Sequence, residues 1–176
     1  MPKLNIGCGH RTIEGYVNAD INPELPNLDL ICELDSIPAE DGTYSEVFAS
    51  HCIEHLPVER AKKALREWLR VLAPGGIAVI DTPNIRRNAT LYFDGWMADF
   101  EILTPAEKEF CSLNGVPNRT LWLNFKVFSS PAKWDQHFWN ADPELLTALC
   151  LDAGFERAEV AQYSPSLIVK AWKRKE

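Results

Sequence analysis

An amphipathic stretch over residues 57–72 runs, after only Ala73-Pro74-Gly75-Gly76, into the continuous apolar run 77–80. Val58, Ala61, Leu65, Trp68, Leu69 and Leu72 recur at helical spacing, and Pro57 sits where a first-turn proline is tolerated. Four consecutive apolar residues bounded by turn signals read as a strand covered on both faces, the pattern of a parallel sheet. A helix feeding such a strand restricts the chain to an α/β layer architecture.

The rest of the sequence repeats the theme. Residues 3–6 (Lys-Leu-Asn-Ile) read as a strand ending at Gly7-Cys8-Gly9, and residues 17–21 as a second, closed by Asn22-Pro23. A third apolar run covers 28–32 and leads to Asp35-Ser36-Ile37-Pro38; a fourth covers 46–50, after the turn signal Glu40-Asp41-Gly42. Asp142-Pro143 opens a helix carrying Leu145, Leu146, Leu149 and Cys150, which Gly154 ends. Residues 157–162 and 167–172 read as two strands joined by Tyr163-Ser164-Pro165-Ser166. So short a link makes them antiparallel, because a parallel pair needs a crossover of about a dozen residues. The expected fold is a single doubly wound, mainly parallel sheet with a C-terminal antiparallel strand pair.

Residues 85–140 break the rhythm and hold most of the aromatics, among them Tyr92, Trp96, Phe100, Trp122, Trp134 and Trp139. They read as an insertion over one end of the sheet, either core filling or a substrate-side lid. With 176 residues the chain makes one domain, 1–176, with this segment inside it.

Charge narrows the partners. The formal net charge is −7, and the one basic cluster is Lys170, Lys173, Arg174 and Lys175 near the chain end. A long phosphate backbone is held by a basic face, so large nucleic acids are disfavoured as substrates. No apolar run approaches the roughly 18–20 residues that span a membrane, and Met1-Pro2-Lys3-Leu4 leads directly into the first strand, leaving no room for a signal peptide. The five cysteines are scattered without a Cys-x-x-Cys pair, which argues against a disulfide framework and a structural zinc site. A cytoplasmic protein is expected, and the sequence does not set its oligomeric state.

Two devices of small-molecule binding stand out. A glycine turn after a first strand lets backbone approach a ligand, and an acid ending the second strand can accept hydrogen bonds from a ribose diol. Gly7, Gly9 and Asp20 fill those roles, although Asp20 also reads as a solvated strand-end acid. Cys8 between the glycines reads as a packing residue. His51 and His55 are four apart, yet Ser50-His51 ends a strand and the pattern is not His-Glu-x-x-His, so no metal is expected and His55 caps the following turn.

The motifs Leu-Asn-Ile-Gly-Cys-Gly (4–9), Asn-Ala-Asp-Ile-Asn-Pro (18–23), Asp-Ser-Ile-Pro (35–38), Ser-His-Cys-Ile-Glu-His-Leu (50–56) and Leu-Ala-Pro-Gly-Gly (72–76) occur in that order. The series resembles the class I, Rossmann-like S-adenosylmethionine-dependent methyltransferases, in particular short bacterial forms found near polysaccharide-biosynthesis functions. His137-Phe138-Trp139 and Ala153-Gly154-Phe155 extend the likeness toward the C-terminus. Two departures stand beside it: the third glycine of the first loop is absent, and Asp20 follows Gly9 by only 11 residues. The first crossover is therefore a loop through Gly15 rather than a helix.

The resemblance implies S-adenosylmethionine as cofactor. Gly7 and Gly9 would line its methionine and ribose portion, Asp20 would hold the ribose hydroxyls, and Ile21 would lie against the adenine. Asp35 would accept from the adenine amino group, with Ser36 and Ile37 completing that pocket. Ser50 and His51 would stand near the transferable methyl group. The implied reaction is methyl transfer to an oxygen or nitrogen of a small-molecule acceptor, a sugar or polysaccharide precursor being the expected class. His137, flanked by aromatics, is the first candidate for general base and His51 the second. Two alternatives belong beside this: a non-catalytic S-adenosylmethionine-binding partner protein, and a nicotinamide-dependent oxidoreductase, whose Gly-x-Gly-x-x-Gly is not completed because Thr12 stands at the last position.

Overall fold

In the computed structural model, which describes residues 1–128, 136–164 and 166–175, the alternation of short apolar runs becomes a seven-stranded sheet. The strands are β1 (Lys3–Ile6), β2 (Tyr16–Asp20), β3 (Leu30–Ile31), β4 (Tyr44–Ser50), β5 (Leu72–Thr82), β8 (Arg157–Gln162) and β9 (Leu167–Trp172). Their order is β3-β2-β1-β4-β5-β9-β8. All neighbouring pairs from β3 to β5 are parallel; β9 runs antiparallel to both β5 and β8, as the four-residue link requires. The two side chains of the third strand are all that remain of the expected 28–32 run.

Period-two alternation decides which face is core. Leu4, Ile6, Val47, Ala49, Ala78, Ile80, Val169 and Ala171 are buried, and the register sets them side by side. They join one cluster with α1 (Val58–Val71) and α6 (Pro143–Ala153), which also pack on each other. From α1 the buried residues are Ala61, Ala64, Leu65, Trp68 and Val71, a stripe at helical spacing. Each large side chain so buried contributes about 1.5–3 kcal/mol. Trp68 also donates its indole N–H to the Leu34 carbonyl at 2.9 Å. The alternate positions Phe48, Ile77, Val79 and Ile168 are only half-buried.

The helix and strand ends follow local chemistry. Asp142 accepts the Leu145 N–H at 2.8 Å and caps α6, and Gly154 ends it at φ 106°, a conformation that favours glycine. Pro57 stands one residue earlier than expected, as the N-cap of α1. Ala73-Pro74-Gly75-Gly76 do more than stop the helix: the backbone turns extended at Leu72, and all four lie inside β5. Because Pro74 cannot donate to the ladder, the register with β4 jumps from Tyr44–Leu72 to Glu46–Ile77, leaving extra residues on β5.

Residues 85–128 are more regular than the sequence suggests. They form α2 (Ile85–Asp94), α3 (Trp96–Glu101), α4 (Pro105–Phe110), the small hairpin β6 (Ser112–Leu113) and β7 (Val116–Pro117), and α5 (Arg119–Phe128). A second core of Phe100, Cys111 and Trp122 sits among them. Buried Asp99 ties it together, accepting from the Trp122 indole at 3.3 Å and pairing with Arg87 at 3.2 Å and Lys126 at 2.8 Å. The helices are short and many of their faces exposed, which is why no long hydrophobic period announced them. Residues 129–135 of this segment, including Trp134, lie outside the described residues. Among the described residues, no helix is long and apolar enough to cross a membrane.

Candidate active site at the carboxyl edge of the sheet

The loop after β1 is built by polar groups as much as by glycine. Asn5 donates to the Arg11 carbonyl at 2.8 Å and to the Asn18 side chain at 2.9 Å, and Asn18 in turn accepts the Ile13 N–H at 2.8 Å. These two buried amides hold the chain from Gly7 to Gly15 without a helix, as the short spacing demanded. Asp20 closes the loop from the other side: Oδ2 accepts the Gly9 N–H at 2.9 Å and Oδ1 the Asn22 N–H at 3.0 Å. Each carboxylate oxygen keeps a further lone pair.

The two glycines serve different ends. Gly7 has φ 65°, and a Cβ there would stand 2.6 Å from the Cys52 Cβ, so this glycine locks the first loop against the end of β4. Gly9 has φ 52° and nothing within 4 Å of an added Cβ, so its backbone borders open space. Gly7→Ala is therefore expected to lower stability by about 1–3 kcal/mol, through backbone strain and overpacking. A chemical denaturation curve reads this directly; a loss well under 1 kcal/mol would mean that the loop gives way without cost.

Of the cofactor residues named from the sequence, Gly9, Asp20 and Ile21 share one rim. Ile21 is 49% exposed, an apolar side chain left in the open beside the acid. Ser36 is also exposed. Asp35 and Ile37 are engaged elsewhere. Asp35 is 4% exposed, and its carboxylate holds Arg60 of α1 through two bonds of 3.0 and 2.6 Å, Glu33 taking the same guanidinium. Ile37 lies in the core under α1, its N–H donating to Glu67 at 2.8 Å. Cys8 is a packing residue: burial pushes its thiol up to about 11, far from a thiolate at neutral pH.

The Arg60 guanidinium hydrogen-bonded to Asp35 holds that carboxyl below the usual carboxylate range. A depressed folded-state value gives stability that is present above the unfolded value, about 3.9, and is lost as pH falls through the folded one. Asp35→Asn is thus expected to destabilise the protein at neutral pH and to flatten its acid-unfolding slope below about pH 4. Melting temperatures of both proteins between pH 2 and 7 check it; parallel profiles would show that the pair contributes nothing.

At the ends of β4 and β5 stands a second group. Ser50 donates to Asp81 Oδ2 at 2.9 Å. His51 follows at φ 50°, unusual for a residue with a side chain, which throws its ring out to 43% exposure. Its Nδ1 is 3.5 Å from Glu54 Oε1 and its Nε2 3.8 Å from Asp81 Oδ2, and the adjacent Glu54 carboxylate raises the imidazole above its ordinary value. His137 reaches the same place from the segment before α6: its Nε2 is 4.0 Å from Glu54 Oε1, and its side chain is 9% exposed. Glu54, in the 3₁₀ turn Ile53–His55, is wholly buried, with Oε2 accepting from Thr82 at 3.1 Å. His55 donates Nδ1–H to the Gln136 carbonyl at 3.2 Å, so it fastens that segment rather than capping its own turn.

Glu54, Asp81 and Thr82 were not singled out from the sequence. Glu54 had a signal, an acid inside the apolar run Cys-Ile-Glu-His-Leu; Asp81, one residue past the run 77–80, had none beyond its place at a strand end. Open α/β sheets bind ligands at their carboxyl edge, and the glycine loop and the histidine group meet there through the Gly7–Cys52 contact.

Residues 4–80 match the family described as a methyltransferase domain. The whole fold is shared with solved structures. One is an S-adenosylmethionine-dependent methyltransferase from Methanosarcina mazei, with TM-score 0.62 and 18% identity over 99% of this chain and 93% of that one. Another, from Thermotoga maritima, has TM-score 0.61 and 13% identity over 98% and 82%. A third is a Haemonchus contortus phosphoethanolamine N-methyltransferase solved with S-adenosylhomocysteine, with TM-score 0.56 and 13% identity over 99% and 49%. Strand order, glycine loop and strand-end acid are arranged here as in the Rossmann-like methyltransferase fold. That domain match takes in 77 of the 176 residues, and over its whole length the chain shares the fold of the Rossmann-like methyltransferases.

Proposed function

We propose that the enzyme methylates an oxygen or nitrogen of a small, polar cytoplasmic metabolite, a sugar or polysaccharide precursor being the class to test first. The observation that carries this reading is the exposed ring of His51, held by Glu54 and Asp81 at the end of β4 next to the glycine loop. The bound cofactor supplies an activated methyl group whose leaving group needs no further help. What the chain contributes is alignment and proton management.

Gly9, Asp20, Ile21 and the exposed Ser36 are the side that receives the cofactor: a loop bordered by open space, a carboxylate with lone pairs to spare, and an uncovered apolar residue. Asp35 and Ile37 support it from beneath by fixing the 33–37 turn to α1. Ser50 and His51 face the acceptor, and His51 accepts the proton when the acceptor is a hydroxyl. His137, nearly enclosed against Glu54, is the weaker candidate for that task. The helical segment 85–128 supplies acceptor specificity. The net charge of −7 and the free cysteines agree with a small acceptor and a reducing compartment. Transfer of labelled methyl from S-adenosylmethionine to a panel of sugars, amines, tRNA and protein tests the reading. Labelling confined to tRNA or protein would overturn it.

A further inference from the structure

The fully buried Glu54 presents a charge problem that the methyl-transfer reading does not solve. Oε2 is satisfied by Thr82, but Oε1 receives no hydrogen bond from any described residue. Its nearest cationic candidates are His51 Nδ1 at 3.5 Å and His137 Nε2 at 4.0 Å, both beyond good hydrogen-bond distance. A buried carboxylate oxygen without a donor is costly, and a bound ion is one of the ways in which such a group is satisfied.

The surroundings supply the rest of a cation site. One ligand atom each from Glu54, His55 and His137 all lie within 4.8 Å of one another. The backbone enforces this meeting. The Phe138 N–H donates to the Glu54 carbonyl at 2.9 Å, and the Trp139 indole donates to the Leu56 carbonyl at 3.0 Å. Together with the His55–Gln136 bond they lay residues 136–139 along the 3₁₀ turn and set His137 beside Glu54.

The contact of His55 with Gln136 suits a metal ligand. A carbonyl only accepts, so the contact with Gln136 puts the proton on Nδ1 and leaves Nε2 with its lone pair. A ligating histidine commonly gives its other N–H to a backbone carbonyl in this way, and Thr82 orients the carboxylate likewise.

We infer that Glu54, His55 and His137 form a binding site for a divalent first-row transition metal, with zinc the best match to two imidazoles and one carboxylate. Three protein ligands leave a coordination position for water or an acceptor oxygen. Ligand atoms around tetrahedral zinc stand about 3.3 Å apart, given bonds of about 2.0–2.1 Å, so separations of up to 4.8 Å close by as much as about 1.5 Å on binding. The metal ties residues 136–139 to the end of β4 and neutralises Glu54, leaving His51 to Asp81. The sequence led us to expect no metal at His51 and His55; the histidine beside His55 in the fold is His137, 82 positions along the chain.

The test uses the full chain stripped with chelator and titrated with Co²⁺, then Zn²⁺. One equivalent of Co²⁺ should bind with the visible absorption of a four-coordinate site, Zn²⁺ should displace it, and Zn²⁺ should raise the melting temperature. His55→Gln and His137→Gln should each weaken Co²⁺ binding by at least about 100-fold, the upper range for losing even an outer partner of a ligand. S-adenosylhomocysteine binding and circular dichroism of the variants establish that they are folded. Failure of the wild type to take up Co²⁺, or uptake unchanged in both folded variants, overturns the site. Should both variants misfold, the wild-type melting shift with Zn²⁺ decides, and its absence overturns the proposal.

Discussion

His51→Gln is expected to lower turnover by about 10²–10⁴-fold, the range that positioned proton transfer contributes, while leaving cofactor affinity nearly unchanged. The reason is geometric. The left-handed backbone at His51 turns the ring outward, and Glu54 and Asp81 hold it from two sides. Glutamine keeps the approximate size and a hydrogen-bonding tip but takes up no proton. Single-turnover rates with a hydroxyl acceptor, alongside calorimetric affinity for S-adenosylhomocysteine, separate the two effects. A loss of only a few-fold would reduce His51 to a wall of the pocket. A matching fall in cofactor affinity would move it to the binding machinery.

Asp20→Ala is expected to weaken S-adenosylmethionine binding by at least about tenfold. Two charge-assisted bonds to a ribose diol, each about 1.5–3 kcal/mol, would extend the loss toward a thousandfold or more. The same carboxylate anchors the Gly9 and Asn22 amides, so the alanine variant also loosens the loop. Asp20→Asn separates these effects. It keeps an acceptor for one of the two amides and loses the charge, so a loss of affinity close to that of alanine assigns the effect to the ribose contact. Wild-type affinity in both variants would sink the assignment of Asp20.

Much of this was legible in the residues themselves. The 3.6-residue stripe of α1, the apolar run ending in β5, and the Asp142 and Gly154 signals of α6 each mark a single local preference, and each was met. The bulge at Ala73-Pro74-Gly75-Gly76 was not legible, because only the pairing with β4 shows that the chain continues its ladder past a proline. Nor were the helices of 85–128, whose apolar residues face a core of their own rather than the sheet.

The site divides the same way. Gly9 and Asp20 read in the sequence as two parts of one binding device; that they meet through a hydrogen bond is seen only in the fold. The partner of Asp35 could not be read from its motif, since Arg60 lies on α1, 25 positions further along. The buried acid Glu54, with His51 and His55, and the distant His137 come from two separate stretches, brought together by the Phe138 N–H and the His55 side chain. Long-range pairing of that kind leaves no local pattern to read.

Calorimetric titration of the wild-type chain with S-adenosylhomocysteine, S-adenosylmethionine and NAD tests the central claim most directly. One equivalent of either sulfur ligand should bind and NAD should give no saturable heat. NAD binding as tight as that of the sulfur ligands, or no heat from either of them, would contradict the account.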